Sequence, residues 1–378
     1  MGAFALLRFA GDTSVRAPIP YIIFIAAAFG APPESSGWLA VALGLTGLVS
    51  PLVAAFEHRI GARRTILLSV GLFASGCFAL ALAPSFPAVL ILCVVLSLGR
   101  SLVGPQAQAF VADTVPFDRR GTVLGVLELA WALAWIIGVP AFGVLLQRVV
   151  WWAPFWALGV IALLGAAAVL RFALTTDHTR AIAAAASAGG VREALRNGQV
   201  RRLLAFGSML MVSIQLVVVV YSPHLVARFG LNAEQIGLAS LVLGLADILA
   251  ELLIIFALDR IGKRRSVLGG LVLMAVGVIA FLLVEGTLAA AIAALFLVFL
   301  GFEYAIVSSL PIMTEIMPTA RTAVAGSFNA ANSVGRTLAA FFALPLYRAI
   351  GLNATYGLAL VALAVTVVLF TRLRVRGD

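Results

Sequence analysis

Charged side chains are scarce in this chain. Asp, Glu, Lys and Arg together make up only 11% of its 378 residues, whereas 63% are hydrophobic, and the mean hydropathy is +1.12. Soluble globular domains carry about 25% charged residues. The composition therefore excludes a water-soluble protein and predicts that most of the chain lies in lipid.

Residue types that usually carry catalysis or bind metals are also few, and they form no constellation. Cys77 and Cys93 both fall in apolar segments, which argues against a disulfide framework or a thiolate metal site. His58, His178 and His224 are far apart in the sequence. No Gly-x-x-x-x-Gly-Lys-Ser/Thr loop for nucleotide phosphates occurs. We therefore expect neither an enzyme nor an ATP-driven pump, and no cofactor or metal.

Long apolar runs account for most of the sequence. A helix needs roughly 20 mainly apolar residues to cross a ~30 Å hydrocarbon layer. Twelve such runs can be placed, at 3–29, 36–56, 65–83, 88–113, 121–147, 151–170, 203–227, 233–257, 266–284, 288–313, 321–347 and 352–371. The predicted fold class is an all-α, polytopic membrane protein with twelve transmembrane helices.

The first run has a second interpretation, as a cleaved signal peptide, because residues 22–31 are apolar and end in small residues. However, Arg8, Asp12 and Arg16 are spread through the run instead of clustering at its start. Residues 17–31 alone would measure only about 22 Å at 1.5 Å per residue. A spanning helix is therefore the favoured interpretation.

Two basic segments are near-copies of each other, one in each half of the chain. The segment His58-Arg59-Ile60-Gly61-Ala62-Arg63-Arg64 corresponds to Asp259-Arg260-Ile261-Gly262-Lys263-Arg264-Arg265. The correspondence continues, within a residue or two, from Gly37, Gly44, Pro116, Arg120 and Gly125 to Gly237, Gly244, Pro318, Arg321 and Gly326. Such a repeat indicates an internal duplication. It predicts two pseudo-symmetric six-helix bundles, 1–172 and 203–378, joined by a cytoplasmic linker, 173–202, with a short surface helix near 191–197.

The basic residues are distributed unequally between the two sides of the predicted bundles. With the N-terminus in the cytoplasm, 19 of the 26 Lys and Arg residues lie on the inner side, and only Arg148, Arg228 and Arg348 lie outside. This is the positive-inside pattern. The net charge of +10 is therefore a sign of topology and not of nucleic-acid binding. We expect a multi-pass protein of a bacterial cytoplasmic (inner) membrane with both termini in the cytoplasm.

Ionisable residues within the predicted spans are unevenly placed. Spans three, six, nine and twelve have none in the hydrocarbon region. Six other spans hold Arg8, Asp12, Arg16, Arg100, Glu128, Asp247, Glu251, Glu303 and Arg336. Because a charge inside a bilayer is costly, these side chains are expected to face a cavity or one another.

Over essentially its whole length the chain resembles the major facilitator superfamily of secondary transporters. The family's loop signature, Gly-x-x-x-Asp-Arg-x-Gly-Arg-Arg/Lys, is similar to residues 54–63 and 255–264, although the first copy has His58 in the Asp place. Arg100 with Gly104 resembles the family's fourth-helix Arg-x-x-x-Gly, and residues 113–121 resemble the start of its next loop. The resemblance implies two six-helix bundles around a central cavity, with every third helix outside, in agreement with the charge distribution.

The same resemblance implies a cytoplasmic latch. The residues expected in it are Glu57, His58, Arg59, Gly61, Arg63, Arg64, Asp113, Arg120, Asp259, Arg260, Gly262, Arg264, Glu315 and Arg321. We expect Arg59 to reach Asp113 and Arg260 to reach Glu315. The alternative is that the basic hairpins only hold topology by binding inner-leaflet phosphates.

Four acids are candidates for proton coupling, namely Glu128, Asp247, Glu303 and Asp12. Glu128 is preferred, because its own helical turn offers no cation and desolvation favours its neutral form. Asp247 and Glu251, four residues apart, form a like-charge pair that also disfavours double ionisation. Static salt bridges between helices are the alternative role for these acids.

Asp12 differs from the other three acids, because it lies four residues from both Arg8 and Arg16. Those cations share its helical face and favour its charged form. Arg100 has no acid within a helical turn and needs Asp12 or Glu128 as a partner on another helix.

The substrate cavity is expected to be lined by buried cations and by polar or aromatic residues. The candidates are Arg8, Arg16, Tyr21, Arg100, Trp131, Trp135, Gln215, Tyr221, Tyr304, Asn329, Asn332 and Arg336. Aromatic and amide side chains in membrane helices also serve as interhelical contacts, so packing is the alternative role. A cavity of this kind suits a drug-like or amphipathic compound better than a sugar.

Gly138, Pro140 and Gly143 partly resemble the family's fifth-helix antiporter signature. This resemblance favours transport by proton antiport, and therefore efflux, over uptake. Proton-coupled transport of a sugar or organic metabolite, and lipid flipping on the same scaffold, are the alternatives. The expected partners are a small-molecule substrate, protons and the lipid bilayer, and we expect a monomer.

Overall fold

The computed structural model describes residues 2–46, 62–102, 130–172, 188–284, 286–317 and 320–373. All regular elements in these ranges are helices. Eight of the helices are long and apolar enough to cross a membrane, and the apolar helix Phe86–Ser101 is somewhat shorter. The predicted all-α, polytopic membrane fold is confirmed. Parts of the predicted spans 36–56, 88–113 and 121–147 lie outside the described residues.

The chain divides into two compact units. The first comprises residues 1–186 and 232–237. The helices of its described residues are α1 (Gly2–Arg16), α2 (Ile22–Ala27), α3 (Gly37–Leu45), α4 (Ala62–Ala79), α5 (Phe86–Ser101), α6 (Val139–Arg148) and α7 (Ala153–Phe172). A π-helical turn, Ala134–Gly138, directly precedes α6.

The first predicted span, 3–29, is not one helix. It is broken into α1 and α2 by a 3₁₀ turn at Ile19–Tyr21. Pro18 and Pro20 flank the break, and proline has no backbone N–H to donate to the carbonyl four residues earlier. The break brings Arg16 into the last turn of α1.

The second unit comprises residues 187–231 and 238–378. Its helices are α8 (Ala188–Arg196), α9 (Gly198–Phe229), α10 (Ala233–Ile261), α11 (Lys263–Leu283), α12 (Leu288–Ile316) and α13 (Arg321–Thr371). The first turn of α10 falls in the first unit and the rest of the helix in the second. The surface helix expected near 191–197 is present as α8, with Arg192, Glu193 and Arg196 exposed.

Two helix boundaries have clear local causes. The side-chain oxygen of Asn197 accepts a hydrogen bond of 2.8 Å from Gln199 N, so α9 begins at Gly198, earlier than the predicted 203. Within α13, Gly351 has φ +79°, which only glycine adopts readily. The long element is therefore two helices joined at Gly351, between the predicted spans 321–347 and 352–371.

Glycine contacts repeat between the two units. In the first, α4 packs on α5 so closely that a Cβ on Gly99 would lie 2.6 Å from Ser69 O, and a Cβ on Gly76 2.8 Å from Leu96 N. In the second, α11 packs on α12, and a Cβ on Gly301 would lie 2.6 Å from Gly270 O, and one on Gly277 2.6 Å from Val298 N. Small residues let membrane helices approach closely. The same contact therefore recurs at equivalent places in the two halves, as a duplication requires.

Candidate functional site

Asp12 lies at the centre of a buried ion-pair network in the first unit. The carboxylate belongs to α1, and the residue is only 5% exposed. It accepts a hydrogen bond of 2.9 Å from Nη2 of Arg100, in the last turn of α5, and one of 3.4 Å from Nε of Arg8, one helical turn away. Gly11 makes room for the Arg100 stem, since a Cβ there would lie 2.9 Å from Arg100 Cγ. The interhelical partner that Arg100 needs is thus provided by Asp12.

Arg16 packs on two tryptophans. Its guanidinium carbon lies 3.4 Å from the centroid of the Trp131 ring system and 5.1 Å from that of Trp135. Arg16 is 9% exposed and Trp135 is buried, while Trp131 is half-buried. A guanidinium over an aromatic face is a cation–π contact, which strengthens where water is excluded. Three of the predicted cavity residues, Arg16, Trp131 and Trp135, are therefore brought together.

The helix that carries the tryptophans is irregular at this point. Residues 134–138 form a π-helical turn, and Pro140 lies in the first turn of α6. Such π-turns inside membrane helices occur frequently at functional sites. Gly138 abuts α1, where a Cβ would lie 2.6 Å from Thr13 Cγ2. The predicted helix-five motif is thus located where α6 and its π-turn meet α1.

Tyr21, in the 3₁₀ turn that follows α1, contacts α6. Its hydroxyl donates a hydrogen bond of 2.7 Å to Val139 O, and its ring stacks on Phe142 at 5.4 Å. Gly143 and Gly237 both lie against the Tyr21 hydroxyl. Tyr21 therefore serves as a packing residue in the first unit.

One ion pair in the first unit was not foreseen from the sequence. Arg148, at the end of α6, donates to Glu234, in the first turn of α10, through Nη2 at 2.7 Å and Nε at 3.2 Å. Gln147 supports this contact by accepting a hydrogen bond of 3.4 Å from Ala233 N. Each charge ends or begins a predicted span, and nothing in the sequence links the two residues.

The second unit buries two of the predicted coupling acids. Asp247 is 1% exposed and Glu303 is 7% exposed, while Glu251 is half-buried. Arg336 is also half-buried, and its Nη2 lies 3.4 Å from the sulfur of Met211. All four charged residues also make further contacts with their surroundings.

Two amide side chains of the second unit contain buried atoms with no hydrogen-bond partner in the described part of the chain. They are Nε2 of Gln215 on α9 and Oδ1 of Asn332 on α13. A buried polar atom left unpaired costs about 1–3 kcal/mol, so these two atoms are suited to a polar ligand or a water molecule. Asn329, one turn before Asn332, is exposed.

The predicted tyrosines of the second unit are engaged between helices. The Tyr221 hydroxyl shares a hydrogen bond of 3.1 Å with Ser240, and Tyr304 donates one of 3.1 Å to Ser266. For these two residues the structure supports the packing role that the sequence left open.

The latch prediction requires a correction in the second half. Lys263, and not the predicted Arg260, forms the ion pair with Glu315 among the described residues. Gly262, with φ +89°, ends α10 and starts α11, so the first residue of α11 faces the end of α12 while Arg260 is exposed. Arg264 donates a hydrogen bond of 2.8 Å to Thr371 O, and Arg64 is exposed at the start of α4.

Several predicted residues lie outside the described part of the chain. They are Glu57, His58, Arg59, Gly61, Asp113, Arg120 and Glu128, together with the side chains of Arg63, Asp259 and Arg321. Their roles in coupling and in the latch stay predictions.

The sequence of this chain matches a known protein family. The family model of the Major Facilitator Superfamily matches residues 4–233 and 203–378. The chain is 25% identical to an uncharacterized MFS-type transporter, YceJ, of Bacillus subtilis, over 85% of its own length and 82% of that protein's. It is 32% identical to a chloramphenicol resistance protein of Streptomyces lividans, over 48% of its own length and 45% of the relative's.

Other curated relatives are matched over a smaller part, since the chain spans 38% of one MFS-type transporter and 24% of another. Among solved structures, a peptide transporter POT in complex with sulfate has the same fold, with a TM-score of 0.76 and 16% identity over 98% of this chain and 94% of that one. Because the family model matches residues 4–233 and 203–378, the chain belongs to the Major Facilitator Superfamily.

Proposed function

We propose that this transporter exports a drug-like or other amphipathic compound across a bacterial cytoplasmic membrane, as a monomer with both termini in the cytoplasm, in exchange for protons. The observation that carries the proposal is the buried charged and aromatic cluster of the first unit, in which Asp12 is paired with Arg8 and Arg100 and Arg16 is stacked on Trp131. Buried charges at membrane depth mark substrate or proton pathways. The chloramphenicol resistance protein among the relatives supports the efflux direction.

The proposed mechanism is alternating access of two six-helix halves around a midplane site. Glu128 is the preferred proton carrier, and Asp247 and Glu303, both buried in the second unit, assist it or replace it. Asp12 has a different role. Its carboxylate accepts hydrogen bonds from the guanidiniums of Arg8 and Arg100, so we assign to it the positioning of these arginines.

On the cytoplasmic side, the proposed latch uses the basic hairpins between spans two and three and between spans eight and nine. In the second half the contact between Lys263 and Glu315 closes it. Both residues are partly exposed, and an ion pair in contact with solvent contributes little stability, which suits a contact that must form and break in each cycle.

The test is proton release by the purified, full-length protein in weakly buffered detergent solution when candidate ligands are added. Antiport requires that ligand and proton compete, so ligand addition should release protons from the wild type. Glu128→Gln should abolish the release. If Glu128→Gln has no effect, loss of proton release in Asp247→Asn or Glu303→Gln would assign the coupling site to the second unit. Glu193→Gln, at an exposed acid on α8, is the matched control.

Proton uptake in place of release would contradict antiport and favour symport with a sugar or metabolite. No proton signal with any soluble ligand, together with movement of labelled lipid in proteoliposomes, would favour the flippase alternative.

A further inference from the structure

We infer that Arg16 is a specificity-determining residue, which covers the aromatic surface of Trp131 and Trp135 and thereby directs the transporter to uncharged or anionic amphipathic compounds instead of lipophilic cations. The inference rests on the proposed transport function and adds the charge class of the substrate.

The geometry of the stack is the first step. At 3.4 Å from the Trp131 centroid, the Arg16 guanidinium is in van der Waals contact with the ring face, and it also lies within cation–π distance of Trp135. A lipophilic cation would be attracted to the same ring faces, because their negative quadrupole is what recognises cations. The Arg16 guanidinium therefore occupies the ring faces to which an exogenous cation would bind.

The charges around this stack also favour an anionic ligand over a cationic one. The carboxylate of Asp12, which could otherwise attract a cation, is 5% exposed and already binds Arg8 and Arg100. The cluster itself, Arg8, Asp12, Arg16 and Arg100, contains three arginines against one acid, and it stays positive when Glu128 is added from the sequence. A cationic ligand meets a net positive cluster, whereas an anionic one is attracted to it.

Two buried polar atoms near this cluster lack a hydrogen-bond partner within the described residues. They are Nε of Arg100 and Oγ1 of Thr13, and Thr13 is only 1% exposed. Both atoms can donate a hydrogen bond. A carboxylate or carbonyl oxygen would accept from such donors, and a quaternary cation would not. The unpaired donors thus favour the same class of ligand as the stacked arginine.

The position of Arg16 follows from local sequence. Pro18 and Pro20 end α1 immediately after Arg16, and a cation in the last turn of a helix is stabilised by the partial negative charge of the free carbonyls. The π-turn at Ala134–Gly138 begins three residues after Trp131 and contains Trp135. Both partners of the stack are therefore held by local features of their own helices.

The experiment compares two probes of the same shape and opposite charge, tetraphenylphosphonium and tetraphenylborate, binding to the purified full chain. The wild type should bind the borate more tightly. Arg16→Gln should increase the affinity for the phosphonium by about tenfold, a value between those of an exposed and a fully desolvated cation–π contact, and should weaken borate binding. Combining Arg16→Gln with Trp131→Leu should remove the gain. Arg192→Gln deletes an exposed arginine of α8 and should leave the preference unchanged.

A second measurement keeps the inference testable if Arg16→Gln does not fold. In the wild-type background Trp131→Leu should not weaken phosphonium binding, because Arg16 covers the ring. Weakened phosphonium binding in that variant, or equal phosphonium affinity of the wild type and Arg16→Gln, overturns the inference. The proposed function fails separately, if no ligand of either charge produces proton release or transport.

Discussion

The guanidinium of Arg148, at the end of α6, makes two hydrogen bonds to the carboxylate of Glu234, in the first turn of α10. This bidentate geometry is the strong form of a surface ion pair. The contact is one of those that join residues 232–237 to the first unit, whereas the rest of α10 belongs to the second.

Breaking this pair should release the start of α10 without unfolding the protein. The side chain of Arg148 is 66% exposed, so Arg148→Gln should cost less than about 1 kcal/mol of unfolding free energy. Hydrogen exchange of residues 233–237 should rise in that variant. A charge swap, Arg148→Glu with Glu234→Arg, should restore part of the protection. Unchanged exchange in Arg148→Gln would show that Gln147 and local packing hold this turn.

The buried network around Asp12 should respond much more strongly. Asp12→Asn removes the buried carboxylate that pairs with the guanidiniums of Arg8 and Arg100. Removing one partner of a buried ion pair typically costs about 3–5 kcal/mol, so a large fall in the thermal unfolding temperature in detergent is expected. Arg8→Gln should cost less, because its contact is longer, at 3.4 Å against 2.9 Å. Equal losses for Asp12→Asn and the exposed control Glu193→Gln would mean that the network contributes no stability.

The repeated glycine contacts predict a symmetric effect on stability. Gly99→Ala on α5 and Gly301→Ala on α12 each introduce a methyl group against the backbone of the neighbouring helix. Overpacking of this kind costs about 1–3 kcal/mol. Gly71→Ala and Gly269→Ala are matched controls in α4 and α11, since a Cβ at either position meets nothing within 4 Å. If all four variants unfold at the same temperature, the close approach is not important for stability.

The helical class and most of the spans could be predicted from the sequence, because an apolar run of about 20 residues has few alternatives in a membrane. Finer features depend on tertiary structure. The sequence lists Arg16 and the two tryptophans as separate candidates, and only the relative rotation of their helices brings them into contact. Likewise, the correspondence between Gly99 and Gly301 is visible in the printed sequence, but it gains meaning only once α4 packs on α5 and α11 on α12.

The cation that reaches Glu315 depends on the turn at Gly262. Arg260 precedes this glycine and Lys263 follows it, and a single residue with φ +89° redirects the chain between them. The family signature makes no distinction between these two basic positions. Because of this backbone geometry Lys263, and not the expected Arg260, pairs with Glu315 in the structure. The role of these residues in a latch stays a prediction.

This correction leads to the final prediction, which separates the two basic residues. If the contact between Lys263 and Glu315 forms and breaks during transport, Lys263→Gln and Glu315→Gln should change the transport rate by the same factor. The double variant should then be no worse than either single one, because the effects of two residues that act through one contact are not additive. Arg260→Gln removes the same charge three residues earlier and should have a smaller effect. Initial rates of substrate movement in proteoliposomes provide the measurement. Additive losses, or a larger effect of Arg260→Gln, would show that the basic hairpin acts through general charge on the inner leaflet and not through this ion pair.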